Sequence, residues 1–281
     1  GNQLNRAAGA RSSMVGPLNP CILFNKRSRL RALLSLLALL ALPAVPPAEG
    51  NDIVAAIQEV KPSVVAVGSY YIKDVPKARF FGTGFAVGQG DKVVTNHHVV
   101  AQIKEKKRLN FLRIFHPGLP SNGVQASLLG QDETHDLAVL EMQSRKLPAL
   151  QLGDSGSVRE GEEMAFTGYP IGLILGLNPT THTGIVSAIS PIVLPSPTSR
   201  AIDGKLASYL RNPYEIFQID ATAFPGNSGS PLYRIRNGKV VGVINKVFVK
   251  DKKEHLLKEP TGITYAIPGK HVEDLLQEIR R

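Results

Sequence analysis

Thr83-Gly-Phe-Ala-Val-Gly-Gln-Gly-Asp-Lys-Val-Val-Thr95 decides the architecture. Two short apolar runs, Thr83–Val87 and Lys92–Thr95, flank the turn-forming residues Gly88-Gln-Gly-Asp91, so the stretch reads as strand, turn, strand. The same pattern continues on both sides. Ser63–Ser69 precedes it, and Leu109–His116, Val124–Leu129 and Leu137–Met142 follow, with Pro117-Gly118 and Asn122-Gly123 as breaks. Six strands within about 80 residues predict a small β-barrel, about 62–150.

Leu152–Glu162 is polar and glycine-containing and reads as a linker. A second strand set follows: Glu163–Gly168, Thr181–Ile189, Ile216–Asp220, Ser230–Ile235, Lys239–Val249 and Gly262–Ile267, a second barrel over about 160–268. Asn51 is placed to cap a short helix with Ile53, Val54 and Ile57 on one face, ended by Lys61-Pro62. Lys270–Arg281 carries Val272, Leu275, Leu276 and Ile279 at helical spacing. The expected fold is all-β: two six-stranded antiparallel barrels with short N- and C-terminal helices. A site is expected in the cleft between the two lobes.

Composition narrows the function. The chain has 281 residues, 43% of them hydrophobic, and a single cysteine, so no intramolecular disulfide forms. The formal charge of +10 resembles a nucleic-acid signature, but its location argues otherwise. Residues 1–48 hold six Lys/Arg and no acid, and the remainder carries 27 basic against 23 acidic side chains. That is an ordinary surface, and no nucleic-acid partner is expected.

The N-terminal region reads as an export signal, with Met14 as the start. Lys26, Arg27, Arg29 and Arg31 precede the apolar run Ala32–Leu42, which Pro43, Pro46 and Pro47 close. The run is shorter than the roughly 20 residues of a membrane span. The expectation is export, to a bacterial periplasm, of a protein comprising residues 49–281; an uncleaved segment would anchor it to the inner membrane.

Three segments carry chemistry: Val94-Thr-Asn-His-His-Val-Val100, Thr134-His-Asp-Leu-Ala-Val-Leu140 and Phe224-Pro-Gly-Asn-Ser-Gly-Ser-Pro-Leu232. A serine hydroxyl is a poor nucleophile until a histidine takes its proton, and an acid must hold that histidine in one tautomer. Backbone N–H groups in a glycine-rich turn must face the developing oxyanion. The order is His, Asp, Ser, with gaps of 38 and 92 residues, so the triad would assemble from both barrels.

The wording of these pieces resembles the chymotrypsin-fold serine proteases, specifically the HtrA (Deg-type) branch. The resemblance covers roughly residues 52–276. It rests on eight pieces in order: Gly82-Thr-Gly-Phe-Ala, Thr95-Asn-His-His-Val-Val, Asp136-Leu-Ala-Val-Leu, Gly168-Tyr-Pro-Ile-Gly, Thr183-Gly-Ile-Val-Ser, Gln218-Ile-Asp-Ala, Pro225-Gly-Asn-Ser-Gly-Ser-Pro-Leu and Thr264-Tyr-Ala-Ile-Pro. It implies a serine endopeptidase acting on unfolded or misfolded polypeptide through an acyl-enzyme. Ser228 is the implied nucleophile, His98 the base and Asp136 its orienting acid. Gly226 and Ser228 supply the oxyanion-hole N–H groups, and Asn227 shapes the turn. His97 takes the family's variable position and reads as a surface or packing residue. Gly153-Asp-Ser-Gly156 imitates a nucleophile motif, but Ser155 lies before the second barrel and is followed by a turn.

Alignment through Ser228 puts Thr222 near the pocket floor and Ile244 on its wall, with Asn245 also among the pocket residues. No acid occupies the floor, so a small apolar pocket preferring Val, Ala or Leu is expected, with Lys246 able to alter it. Asn227 cannot form the ion pair by which trypsins respond to N-terminal cleavage. The resemblance also allows a homotrimer. Only 14 residues follow Ile267, so no PDZ domain is expected within this sequence. Long loops, Ser190–Pro213 and Phe248–Thr261, correspond to segments beside the active site. No cofactor is expected, and no metal: the seven histidines have no cysteine partners and form no His-x-x-x-His helical pair. His116, His135, His182, His255 and His271 read as scattered polar residues. The rival reading is a non-catalytic or effector-gated, chaperone-like peptide binder using the same cleft. An esterase ranks last, because Gly226-Asn-Ser-Gly-Ser leads into a strand.

Overall fold

The computed structural model describes residues 52–105, 111–170, 177–192, 213–245 and 262–281. Most of both long loops, Lys246, His255 and the N-terminal segment with Asn51 lie outside them.

Helix α1 (Asp52–Val60) leads through a 3-10 turn at Lys61–Ser63 into β1 (Val64–Tyr70). Then come β2 (Ala78–Val87), β3 (Lys92–Asn96), α2 (His97–Glu105), β4 (Leu112–Phe115), β5 (Val124–Asp132) and β6 (Leu137–Met142). These six strands close an antiparallel barrel in the order β1-β2-β3-β6-β5-β4. The second barrel has β7 (Glu163–Gly168), β8 (Thr180–Pro191), β9 (Glu215–Asp220), β10 (Pro231–Arg234), β11 (Val240–Asn245) and β12 (Ile263–Pro268). It closes as β10-β11-β12-β9-β8-β7, and α3 (Lys270–Arg280) follows.

The strands read as continuous apolar runs because both of their faces are covered. Along β1, Val65 and Val67 fill the interior of the first barrel, while Val64 and Ala66 point the other way. That second face joins Phe85, Val94 and Val139 of barrel one with Ala165, Tyr233, Val243 and Ile267 of barrel two in one apolar cluster. The two barrels are therefore packed against each other as one body, which holds groups from each at fixed separation.

Helix α2 is absent from the sequence reading, which has no helix between β3 and β4; His97 and His98 open it directly after β3. Val99, Val100 and Ile103 are buried at helical spacing, and their side chains complete the first barrel's core. On α1 the inward face is Ile53, Ala56, Ile57 and Val60, with Ala56 and Val60 buried; of the three residues expected there, Ile53 and Ile57 lie on it and Val54, 53% exposed, does not. Helix α3 follows a strand of barrel two yet lies on barrel one. Val272, Leu275 and Leu276 are buried, and Ile279 packs over Gly130 of β5, where an added Cβ would sit 2.7 Å from its Cδ1.

Candidate active site

Asp136 sits in the turn between β5 and β6 with φ of +51°. The left-handed backbone turns its carbonyl toward α2, where the Asn96 amide and the His97 N–H both donate to it at 3.0 Å. Its carboxylate faces the same way. Oδ1 accepts the His98 N–H at 2.8 Å, and Oδ2 lies 2.7 Å from His98 Nδ1. Oδ2 also accepts from the Asn245 amide at 2.9 Å. With Nδ1–H pointing at a carboxylate, the imidazole leaves Nε2 as its proton acceptor.

Asn245 was expected in the substrate pocket. It is instead buried, with its amide donating to the Asp136 carboxylate. Ile244 is fully buried in the second barrel's core with Phe166, Phe217 and Leu232 and lines no open wall. Thr222 is half-buried in the segment that leads from β9 toward the serine turn.

Ser228 occupies a turn bounded by Gly226 at φ +101° and Gly229 at φ +88°, conformations that favour glycine. The turn is tied internally, with the Asn227 N–H on the Phe224 carbonyl and the Ser230 N–H on the Asn227 carbonyl, both at 3.0 Å. Asn227 thus shapes the turn through its backbone; its side chain is buried, and neither amide atom has a hydrogen-bond partner among the described residues. No acceptor among those residues engages the N–H of Gly226 or Ser228. No hydrogen bond among them joins His98 to the Ser228 hydroxyl, a contact that is often long until substrate seats.

The turn is fastened to barrel one. The Thr83 N–H donates to the Ser228 carbonyl at 2.8 Å, and its hydroxyl donates to the Gly226 carbonyl at 2.7 Å. Thr83 gave no sign of this role in the sequence beyond lying between two glycines. Beside Gly226 opens a groove of about 620 Å³ lined by Phe80, Phe81, Gln102, Tyr169 and Pro225, among others.

The remaining candidates have other partners. Ser155 opens a 3-10 turn whose Asp154 carboxylate accepts the Gly156 N–H at 2.8 Å, and its hydroxyl accepts the Lys270 N–H at 3.0 Å, at the start of α3. His97 pairs with Glu133 at 3.8 Å, away from the Asp136 carboxylate. His135 and His271 are not scattered: their rings stack at 3.7 Å, with Tyr214 edge-on to both. Burial, helped by the charges of His135 and Lys270 and opposed by Asp132, pushes the His271 imidazole down to about 4. Among the described residues no cluster of three His, Cys, Asp or Glu side chains suits a metal ion, and no helix is long and apolar enough to cross a membrane.

Two closed six-stranded barrels with a His–Asp pair on one and a glycine-framed serine on the other define a trypsin-like architecture. The trypsin-like peptidase domain family matches residues 82–243. A probable periplasmic serine endoprotease, DegP-like, of Hahella chejuensis is 30% identical over 204 residues, covering 73% of this chain and 36% of that protein. Serine protease HTRA1 of Xenopus laevis is 30% identical over 236 residues, covering 81% of this chain and 43% of that protein. A solved structure, HtrA-type protease AlgW with tripeptide, superposes with a TM-score of 0.57 at 25% identity, covering 81% of this chain and 63% of that one. The chain belongs to the trypsin-like peptidase family, in its DegP/HtrA branch. It spans less than half the length of these curated relatives.

Proposed function

We propose that the protein is a serine endopeptidase that hydrolyses peptide bonds in unfolded or misfolded polypeptides, with Ser228, His98 and Asp136 as its triad. The observation that carries the reading is the Asp136 carboxylate, fixed by His98 and Asn245 and held beside a serine turn fastened to the same barrel. Ser228 attacks the scissile carbonyl while His98 Nε2 takes the hydroxyl proton. Asp136 holds the tautomer and stabilises the imidazolium. The N–H groups of Gly226 and Ser228 face the oxyanion. The tetrahedral intermediate collapses as His98 passes its proton to the leaving amine, and an acyl-Ser228 ester remains. Water then attacks the ester with His98 as base, releasing the acid and restoring the hydroxyl.

The groove beside Gly226 suits an extended peptide with apolar side chains. The half-buried Thr222 and the apolar Ala221 and Ala223 near the turn favour a small apolar residue before the cut bond. The relatives named as periplasmic, together with the N-terminal basic and apolar segments, support export to a bacterial periplasm. Retention of that segment gives the inner-membrane-anchored alternative, and the branch makes a homotrimer a reasonable assembly.

The test is to incubate the chain with a polypeptide in folded form and in reduced, alkylated form, and to map the products by mass spectrometry. Selective cleavage of the unfolded form after Val, Ala or Leu is expected. Cuts dominated by Lys or Arg would overturn the pocket reading. Stoichiometric peptide binding with no cleavage would favour the non-catalytic binder.

A further inference from the structure

We propose that Thr83 is a positioning residue for the hydrolysis, holding the oxyanion turn in register with the base across the two barrels; this rests on Ser228 being the nucleophile. Thr83 is fully buried on β2, and every polar group it carries is engaged. Its N–H donates to the Ser228 carbonyl, and its carbonyl accepts from the Thr95 hydroxyl at 2.7 Å. Its hydroxyl accepts the Tyr169 N–H at 3.0 Å. That bond uses a lone pair on the oxygen, so the single hydroxyl proton is directed to the Gly226 carbonyl at 2.7 Å.

The placement of these bonds matters. The peptide that carries the Ser228 N–H lies between the Gly226–Asn227 and Ser228–Gly229 peptides, and Thr83 holds the carbonyl of each. Gly226 and Gly229 have positive φ and little intrinsic preference for one peptide orientation. With both neighbours held, and with the Asn227 carbonyl of the same peptide accepting the Ser230 N–H at 3.0 Å, the intervening N–H cannot rotate without breaking a hydrogen bond. Thr95 lies three residues before His98, so the strand that backs Thr83 also leads into the base.

The surrounding glycines make this close approach possible. A Cβ on Gly82 would lie 2.9 Å from the Ser228 carbonyl oxygen, and one on Gly229 would lie 2.6 Å from the Thr95 hydroxyl and run into the Thr83 carbonyl. A Cβ on Gly168 would approach the Thr83 hydroxyl to 3.0 Å and run into that of Ser230. Three glycine-containing motifs, far apart in sequence, thus converge around this one threonine.

The experiment compares full-length wild type, Thr83→Val, Thr83→Ala and Thr83→Ser. It reads kcat and KM on a peptide anilide, melting temperature, and the site of fluorophosphonate labelling by peptide mapping. Thr83→Val is expected to lower kcat about 100-fold, the loss typical of a compromised oxyanion donor. KM should stay within about twofold and the pH profile should keep its shape, because the His98–Asp136 pair is untouched. Thr83→Ser is expected to retain kcat within about threefold, because its hydroxyl still reaches Gly226. If the valine variant does not fold, Thr83→Ala is read against the same thresholds. A Val or Ala variant with near-wild-type kcat, or a serine variant as impaired as valine, overturns the proposal alone. A wild-type label mapped to any residue other than Ser228 overturns the nucleophile assignment and the Thr83 proposal with it.

Discussion

Asp136 is the most heavily supported residue in the site, and its partners explain what it does. Its main-chain carbonyl and both side-chain oxygens receive donors, so its position is set from several directions. Removing one donor to a buried charged group costs about 1.5–3 kcal/mol. Asn245→Ala is therefore expected to lower kcat about 10- to 100-fold with a smaller change in KM; an unchanged kcat in steady-state assays would count against its role as orienter. This residue also shows how far the sequence could be read. The segment around Asn245 was recognisable, but adjacent residues of a strand point to opposite faces, so Ile244 and Asn245 could not both line one pocket; Ile244 turns into the barrel core and Asn245 toward the Asp136 carboxylate. His98 and Asp136 were readable from their motifs, and the structure hydrogen-bonds them. Thr83 was not readable as a site residue, because what distinguishes it is contact with residues more than 140 positions away.

Elements explain the imitation motif. Gly153-Asp-Ser-Gly156 forms the seat on which Arg234 of β10 and the first turn of α3 rest. Arg234 is almost fully buried; it pairs with Glu162 at 2.7 Å and donates to the Asp154 carbonyl at 3.2 Å and the Ser157 hydroxyl at 3.0 Å. Arg234→Ala removes the turn's bridge to β10, while Glu162 keeps Arg236 at 3.7 Å, and a loss of about 2–3 kcal/mol is expected. Chemical denaturation measures it, and a loss below about 1 kcal/mol would contradict this bracing role. Ser155→Ala should cost only about 1 kcal/mol, the loss of one hydrogen bond, and leave turnover within about twofold. The strand sets were legible because turn residues bracket each run, and β6 and β7 match their expected limits. Helix α2 was missed because its apolar residues directly follow a strand and blend into the same valine-rich run.

At the scale of the whole molecule, α3 joins the two barrels, and its His271 stacks on His135, the residue preceding Asp136. His271 faces His135, Lys270, Asp132 and Tyr214, and its folded-state affinity for protons is depressed. The unfolded chain therefore binds the extra proton first as pH falls. The stability conferred by neutral His271 is complete above the ordinary histidine range and declines as pH falls from about 6.5 toward about 4. His271→Phe keeps a ring in the stack and is expected to flatten the stability–pH curve in that window; an unchanged slope by denaturation at successive pH values would contradict the assignment. The central claim is that the two-barrel body presents Ser228 as an activated nucleophile. The most direct measurement is fluorophosphonate labelling of the wild type beside Ser228→Ala and Ser155→Ala, each checked for folding. Labelling of the wild type and the Ser155 variant, and none of the Ser228 variant, is expected. Labelling that survives in Ser228→Ala, or a folded wild type that takes no label, would contradict the claim.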